Sequence, residues 1–269
     1  MMMIIFKDIK EYITLLKRMY KYRISQFPQA PKLAIIQVGN VEASNRYIKN
    51  KVKDCQEVGI EAHVYGYPTD ITEIELVDEI EDLVEHYDGI IVQLPLPQHI
   101  RSSVATAAIP KEKDVDGFRS DSWFKPATPK GIMDYLKYCG FDLCGKDVVI
   151  IGRSEIVGKP LAKMMTDADA TVTLCHSKSK NIDRYLKNAD LIISAVGKAN
   201  FLNCEDIYIP VVDVGINFNE EGKLVGDCYN AAGRNVTPVP GGVGLLTRAA
   251  LLDNVITAKE FDIIGKGGR

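Results

Sequence analysis

The sequence has no CxxC pair, and no spacing joins its cysteines to its four histidines as metal ligands. Its formal net charge of -3 gives no electrostatic reason to bind nucleic acid, and no apolar run is long enough to cross a membrane. We therefore expect no metal site, no nucleic-acid partner and no membrane partner. We expect reduced, mostly buried thiols at Cys55, Cys139, Cys144, Cys175, Cys204 and Cys228.

The N-terminal segment MMMIIFKDIKEYITLLKRMYKYR has lysine and glutamate between its apolar residues, so it lacks the apolar region of a signal peptide. This pattern predicts a cytoplasmic protein. The 269 residues are 46% hydrophobic and 26% charged, which is typical of a globular protein. The length exceeds the usual size of a single core and favours two domains or one large α/β unit.

Strands and helices alternate along the first half of the chain. Ile5, Ile9, Ile13 and Leu16 recur at helical spacing and predict an opening helix. The predicted order continues with a strand over 33–38, a helix over EASNRYIKNKVKDCQEVG, a strand over 62–65, a helix over 72–86 and a strand in GIIVQLPLP.

A second series of strands and helices follows a helix predicted over 130–139. Its strands are expected at 148–151, 171–175, 191–195 and 211–214, which is typical of a parallel, doubly wound sheet. We therefore predict two α/β domains flanking a cleft, the second of Rossmann type. The expected limits are 1–121 for the first domain and 122–245 for the second, with a C-terminal helix over 246–269 packing back on the first.

The segment DVVIIGRSEIVGKP runs from an apolar strand into Gly152, and Gly158 follows where a helix begins. Such a turn lets a backbone approach a pyrophosphate at the positive end of a helix, although Ser154 stands where the GxGxxG motif has its second glycine. Taken alone, the pattern is equally consistent with a structural turn.

The end of the next strand favours the cofactor interpretation. NAD-selective folds carry an acid there for the ribose hydroxyl, whereas TVTLC is followed by His176, Ser177 and Lys178. Arg153 can donate two hydrogen bonds to a 2′-phosphate and Ser177 can add a hydroxyl, so we predict NADP. The alternative is that both are solvated surface residues.

Further candidates for chemistry lie outside this turn. Ser44, Tyr47 and Lys51 fall on one side of a predicted helix, a spacing that also arises by chance. The Tyr-x-x-x-Lys pair precedes the dinucleotide turn by about 100 residues, which argues against short-chain dehydrogenases, where it follows that turn. Gln93 ends an apolar strand and either faces the cleft or caps the strand.

Two loops complete the set of candidates. In KDVDGF, Asp114 and Asp116 form either a turn or an acceptor for the paired N–H donors of a heterocycle. In TPVPGGVG, Pro240, Gly241 and Gly242 form either a bare backbone that approaches a ligand or a structural linker.

Together these segments resemble the bifunctional methylenetetrahydrofolate dehydrogenase/cyclohydrolase family of one-carbon metabolism. The resemblance extends from about Leu33 to Ile256 and is carried by ASNRYIKNK, GIIVQLPLP, KDVDGF, PATPKG, VIIGRSEIVGKP, ATVTLCHS, ADLIISAVGK, VVDVGIN and TPVPGGVG. It implies oxidation of 5,10-methylenetetrahydrofolate with NADP, then hydrolysis of the methenyl product to 10-formyltetrahydrofolate in one cleft.

The resemblance also implies roles for individual residues. Lys51 becomes the general acid/base of hydrolysis, Gln93 its positioning partner, Tyr47 the ring that stacks on folate and Asp116 the acceptor for the pterin. These roles suit the chemistry, because water attack on a methenyl cation needs proton transfer by an amine that is partly neutral. The remaining substrate contacts are expected at Ser44, Pro240, Gly241 and Gly242.

On the cofactor side, the resemblance implies that NADP is bound by Gly152, Arg153, Ser154, Ser177 and Ile216, with the 241–244 loop near the join of nicotinamide and folate. It also implies a homodimer. The chain departs from the family pattern in its short N-terminal segment, at Ala127 and at Leu245–Leu246. These departures remove none of the proposed catalytic groups.

Three alternatives stay open at this point. The first is a dehydrogenase of this fold without useful cyclohydrolase activity, and the second is another two-domain Rossmann oxidoreductase of the shikimate type. The sequence GRSEIVGKP disfavours the second, which predicts a GxGG-type turn. The third is a catalytically silent folate- or nucleotide-binding protein, which the intact set of Lys51, Gln93 and Asp116 disfavours.

Overall fold

The structure, a computed structural model, describes residues 6–40 and 42–267. The helices are α1 (Ile9–Ser25), α2 (Glu42–Val58), α3 (Glu73–Leu83), α4 (Ser102–Ala107), α5 (Ala127–Tyr138), α6 (Gly158–Thr166), α7 (Asp183–Leu186) and α8 (Val243–Gly267). The strands are β1 (Lys32–Val38), β2 (Glu61–Tyr67), β3 (Gly89–Val92), β4 (Asp147–Ile151), β5 (Thr171–Cys175), β6 (Leu191–Ser194), β7 (Leu202–Asn203), β8 (Val211–Asp213), β9 (Asn217–Phe218), β10 (Leu224–Val225) and β11 (Cys228–Tyr229).

Two helices begin three residues earlier than expected. Helix α5 begins at Ala127 rather than at residue 130, because Pro129 is tolerated in a first turn, where backbone N–H groups have no partner within the helix. Helix α8 begins at Val243, so the last two residues of TPVPGGVG are helical rather than part of a loop. Ile5, expected in the opening helix, lies outside the described residues.

The described chain divides into two units, each made of separate segments. We call residues 15–40, 42–127 and 248–267 the three-stranded unit, and residues 6–14 and 128–247 the four-stranded unit. The divisions fall inside α1, near the start of α5 and near the start of α8.

The three-stranded unit is built on a parallel sheet with the order β2-β1-β3. Strand β3 and most of β1 are buried continuously, as expected for a parallel sheet whose two faces are covered. Thr72 and Glu75 form a capping box that fixes the start of α3. Since parallel strands end at a common edge, α2 and the segment after β3 both start there.

The four-stranded unit contains a parallel sheet with the order β5-β4-β6-β8. The chain passes from β4 to β5 on one side and returns to β6 on the other. This change of direction produces the crevice at which Rossmann-type sheets bind ligands. The predicted α/β class with a Rossmann-type sheet is confirmed. Two short strand pairs, β11-β7 and β10-β9, were not predicted.

From Arg248 onward, α8 is bonded to other segments of the three-stranded unit. Asn254, which is buried, donates from Nδ2 to the carbonyl oxygens of Val115 at 2.8 Å and Lys125 at 3.1 Å. Arg23 on α1 forms ion pairs with Asp253 and Glu260. None of the helices in the described part of the chain combines the length and apolar character that a membrane span requires.

Candidate active site

Helix α2 carries the predicted trio of polar residues on one side. Ser44 and Lys51 are buried and Tyr47 is half-buried, while Ile48 and Cys55 bury the neighbouring apolar stripe. Only 5% of the Lys51 side chain is exposed. A buried lysine amine needs polar partners, because its charged form loses the solvation of water.

Gln93 supplies the nearest partner of that amine. It follows β3 directly, and its backbone N–H continues the sheet ladder by donating to Ile36 O at 2.8 Å. The side-chain Nε2 donates to Leu94 O at 2.8 Å, which leaves Oε1 facing the Lys51 amine at 3.3 Å. The amide is therefore oriented as an acceptor for Lys51.

Asp116 lies on another side of the amine, with Oδ2 at 4.0 Å from Lys51 Nζ. Burial raises the pKa of Asp116 above its ordinary value, and the positive charge of Lys51 opposes that rise. Asp114 has a different environment, because its Oδ2 accepts the backbone N–H of Arg119 at 2.9 Å. Of the two carboxylates in KDVDGF, Asp114 therefore stabilises a turn and Asp116 faces the Lys51 amine.

Tyr47 contributes its ring, whose centroid lies 5.2 Å from Lys51 Nζ. Burial raises the pKa of the Tyr47 phenol to about 12, with a further rise from Asp116 and an opposing effect from Arg248. The phenol is therefore neutral at physiological pH and serves as a stacking surface or hydrogen-bond partner rather than as a base. The structure thus brings together Tyr47, Lys51, Gln93 and Asp116.

In the four-stranded unit, the turn after β4 requires both of its glycines. Gly152 has φ +122°, and a Cβ there would lie 2.1 Å from Ala195 O. A Cβ on Gly158 would lie 2.0 Å from Gly152 O. The immediate reason for these glycines is therefore close backbone packing between the β4–α6 turn and the end of β6.

The predicted cofactor side chains of this turn differ in their contacts. Ser154 Oγ accepts backbone N–H groups from Val157 at 3.2 Å and Gly158 at 3.4 Å, so it shapes the start of α6. Arg153 and Ser177 are exposed. Because Ile151 and Cys175 are partners in the β4–β5 register, Arg153 and Ser177 each lie two residues beyond the same edge of the sheet.

The remaining predicted residues also lie in the four-stranded unit. Ile216 follows β8 and is 54% exposed, which is unusual for isoleucine. Gly241 has φ +99°, and a Cβ on Gly242 would lie 2.1 Å from Pro238 O, so the 238–242 segment folds tightly on itself. The substrate contacts expected at Pro240, Gly241 and Gly242 stay a prediction.

Asp227 is a buried residue that no sequence pattern indicated. Its carboxylate accepts five hydrogen bonds, from Ser194 Oγ, Asn217 Nδ2 and the backbone N–H groups of residues 196, 197 and 198, at 2.7–3.3 Å. It therefore fixes the loop after β6, which packs against Gly152. The donors are 10–33 residues away, so no local pattern in VGDCYN could have revealed this role.

A second missed feature is an ion-pair network, which we call the Asp54 triad: Lys17, Asp54 and Arg248. Asp54 Oδ1 lies 2.7 Å from Lys17 Nζ, and Asp54 Oδ2 lies 2.5 Å from Arg248 Nε. The three side chains are 17%, 10% and 18% exposed. Within residues 6–40 and 42–267, no group of three or more His, Cys, Asp or Glu side chains could hold a metal ion.

Comparison with protein families gives two matches that together span most of the chain. Residues 5–116 match the catalytic domain of tetrahydrofolate dehydrogenase/cyclohydrolase, and residues 126–262 match its NAD(P)-binding domain. The bifunctional protein FolD of Helicobacter hepaticus is 46% identical over 248 residues, which cover 86% of this chain and 87% of the relative.

Two solved structures are similar over nearly the whole chain. The bifunctional FolD methylenetetrahydrofolate dehydrogenase/cyclohydrolase of Campylobacter jejuni has a TM-score of 0.90 and 41% identity, covering 95% of this chain and 98% of that chain. The Trypanosoma brucei methylenetetrahydrofolate dehydrogenase-cyclohydrolase, in complex with NADP and an inhibitor, has a TM-score of 0.89 and 28% identity, with coverages of 98% and 99%.

Proposed function

Because this chain belongs to the tetrahydrofolate dehydrogenase/cyclohydrolase family, we propose that it oxidises 5,10-methylenetetrahydrofolate with NADP and hydrolyses the methenyl product to 10-formyltetrahydrofolate. The observation that carries the proposal is the buried Lys51 amine with its three neighbours: an amide oxygen, a carboxylate and a tyrosine ring. We assign the folate chemistry to the three-stranded unit and the cofactor to the four-stranded unit.

In this proposal, the residues around Lys51 act mainly in the hydrolysis step. Water adds to the methenyl carbon, and neutral Lys51 accepts the proton that the water loses. The bond from that carbon to N5 then breaks as N5 takes the proton from Lys51 and the new hydroxyl releases its own proton to solvent, which leaves the formyl group on N10. The balance is one methenyl cation and one water giving 10-formyltetrahydrofolate and one proton. A positioned base of this kind contributes about 10²–10⁴-fold to a rate.

The neighbours of Lys51 have separate roles in the proposal. Gln93 orients the amine through a neutral oxygen, so it positions Lys51 without adding a charge that would hold the proton. Asp116 offers carboxylate oxygens to the amino and N–H edge of a pterin. Tyr47 offers a ring face for stacking, and Ser44 lies one turn earlier on the same helix.

The residues of the four-stranded unit fit NADP. The β4–α6 turn brings bare backbone to the start of a nine-residue helix, and Arg153 and Ser177 are exposed at neighbouring strand ends. In the proposal Gly152, Arg153, Ser154, Ser177 and Ile216 hold the cofactor. When bound, NADP accepts the hydride of the oxidation, which depends mainly on orientation of the reactants.

A homodimer and a cytoplasmic location belong to the same proposal. The dimer is carried over from the family resemblance. The location is supported by the free thiols of Cys55, Cys139, Cys175 and Cys204, which are buried as expected for a protein from a reducing compartment.

The test is a pair of assays on purified protein. In the first, 5,10-methylenetetrahydrofolate is mixed with NADP or NAD, and the methenyl product and reduced cofactor are followed. In the second, methenyltetrahydrofolate is supplied and its enzyme-dependent hydrolysis is measured. Lys51→Met should reduce hydrolysis at least about 100-fold. Lys49→Met, on the exposed side of α2, is the matched control and should change neither activity.

The outcomes separate the remaining candidates. Both activities with NADP preferred would support the bifunctional enzyme. Oxidation without hydrolysis would indicate a dehydrogenase alone, and folate binding with neither activity would indicate a silent binding protein.

A further inference from the structure

The Asp54 triad lies beside Lys51, although neither the family resemblance nor the proposed mechanism uses it. Asp54 follows Lys51 by three residues on α2, a spacing that places two side chains on the same side of a helix, with about 5–6 Å between their Cβ atoms. Arg248 comes from α8 and Lys17 from α1. Three helices therefore meet at one carboxylate next to the candidate catalytic amine.

The charges of the triad act on groups that surround Lys51. Burial raises the pKa of the Cys55 thiol to about 12, and among charged groups Asp54 adds to this rise while Lys51 opposes it. Arg248 in turn acts on the phenol of Tyr47, whose ring lies under the Lys51 amine. Asp54 lies one turn after Lys51 on α2 and holds Arg248 Nε at 2.5 Å, so the charges of both residues lie in the surroundings of Lys51.

We propose that Asp54 and Arg248 set the protonation of Lys51 with opposite signs, and so act as positioning residues for hydrolysis. Arg248 favours the neutral amine that accepts a proton, and Asp54 favours the charged amine. The proposal rests on the function assigned above to Lys51. It adds two opposite charges, on Asp54 and Arg248, whose contact joins α2 to α8.

The charge balance around Lys51 gives a physical reason for the triad. Asp116 lies at 4.0 Å from the amine, and when ionised it attracts a positive charge there; Asp54 without its partners would be a second such carboxylate. Two buried carboxylates beside one lysine favour its charged form, which cannot act as a base. Pairing of Asp54 with Arg248 and Lys17 offsets the second anion. Among the described residues, the groups with contacts or charges that act on Lys51 or the triad are Tyr47, Asp54, Cys55, Gln93, Asp116, Arg248, Lys17 and Glu57.

The alternative is that the ion pair only holds α2 against α8. The two interpretations differ in the direction of the effects that they predict for substitutions at Asp54 and Arg248. If the pair is only structural, Arg248→Met and Asp54→Asn break the same contact and should have effects in the same direction. If the charges act on Lys51, the two substitutions should have opposite effects on its protonation.

The experiment measures hydrolysis of supplied methenyltetrahydrofolate by the full chain as a function of pH, with the reaction without enzyme subtracted at each pH. Arg248→Met should move the midpoint of the profile up, and Asp54→Asn should move it down, each by roughly half to one pH unit. Arg248→Lys keeps the charge and should stay near the parent protein. Glu57→Gln removes a 44% exposed partner of Lys17 and should also stay near it.

A second readout observes the amine itself. The ¹⁵Nζ chemical shift of Lys51, assigned by its loss in Lys51→Arg, reports its protonation without reference to activity. Thermal unfolding of each variant, followed by circular dichroism, serves as the folding control. If the midpoint of this titration moves in opposite directions in Arg248→Met and Asp54→Asn, the inference is established. If both midpoints move in the same direction, or neither moves, the inference is overturned. Opposite shifts that hydrolysis does not follow would show that the two charges set the protonation of Lys51, and would overturn both the role proposed for Lys51 and the positioning role for hydrolysis.

Discussion

Among single residues, Arg153 and Ser177 show how the position of a side chain and its chemical type together favour one ligand. Each is exposed two residues past the end of a strand, where most side chains would contact only solvent. Their positions on adjacent strands place a guanidinium and a hydroxyl at one edge of the sheet, with no carboxylate among the three residues that follow β5. Such an edge suits a phosphate more than a ribose hydroxyl.

This leads to a prediction about cofactor choice. Arg153→Ala should weaken NADP binding about 10- to 100-fold, because a hydrogen bond to a charged group contributes about 1.5–3 kcal/mol. NAD binding should change little, since NAD lacks the 2′-phosphate. Isothermal titration with both cofactors checks this, with Lys163→Ala, an exposed lysine on α6, as the control. Equal losses with NADP and NAD would contradict the phosphate assignment.

At the scale of elements, one buried carboxylate holds together the loops at the end of the four-stranded sheet. The backbone N–H groups of residues 196–198 all donate to Asp227, and the carbonyl of Ala195 packs on Gly152. The β4–α6 turn is thus supported through the β6 loop by a residue that need not touch the cofactor. Asp213 supports the same region by accepting the backbone N–H of Asp227 at 3.0 Å.

Asp227→Asn should therefore weaken NADP and NAD alike, by at least about tenfold. An amide replaces one acceptor oxygen by a donor that faces other N–H donors, and each buried group left unpaired costs about 1–3 kcal/mol. Hydrolysis of supplied methenyltetrahydrofolate should be largely retained, because its candidate catalytic residues Lys51, Gln93 and Asp116 lie in the other unit. Cofactor titration and the hydrolysis assay measure the two effects, with Asp206→Asn, an exposed aspartate, as the control. Loss of both activities together would indicate general unfolding instead.

The helices and strands also show how much of the structure could be predicted from the sequence. Periodicity predicted the bounds of β4 and β5 to within one residue, and it predicted that the polar candidate residues of α2 lie on one side of that helix. Both features depend on residues that are near one another in the sequence. The start of α8 was missed because glycine and proline in TPVPGGVG also suit a loop. Arg248 was missed for a different reason: its partner Asp54 is 194 residues away, and no local pattern encodes such a contact.

At the scale of the whole molecule, the three-stranded unit depends on the far end of the chain. Asn254 on α8 holds Val115 O, the carbonyl immediately before Asp116. Leu252, Val255 and Ile256 on the same helix are buried. Full burial of an aliphatic side chain contributes about 1.5–3 kcal/mol, and a whole domain is stable by about 5–15 kcal/mol. A chain that ends at Ala127 should therefore show no cooperative thermal unfolding by circular dichroism.

Reconnecting the two segments should restore that transition. The hydroxyl oxygens of Thr128 and Thr247 lie 2.9 Å apart, so the ends of the three-stranded unit on either side of residues 128–247 are close in space. A linker of about six glycine and serine residues is long enough to replace the excised segment. In this linked chain Asn254→Ala should lower the free energy of unfolding by about 1–3 kcal/mol, since it leaves the buried carbonyl of Val115 unpaired and removes a second bond to the carbonyl of Lys125. If the chain ending at Ala127 unfolds at the same temperature as the linked chain, α8 contributes nothing to this unit.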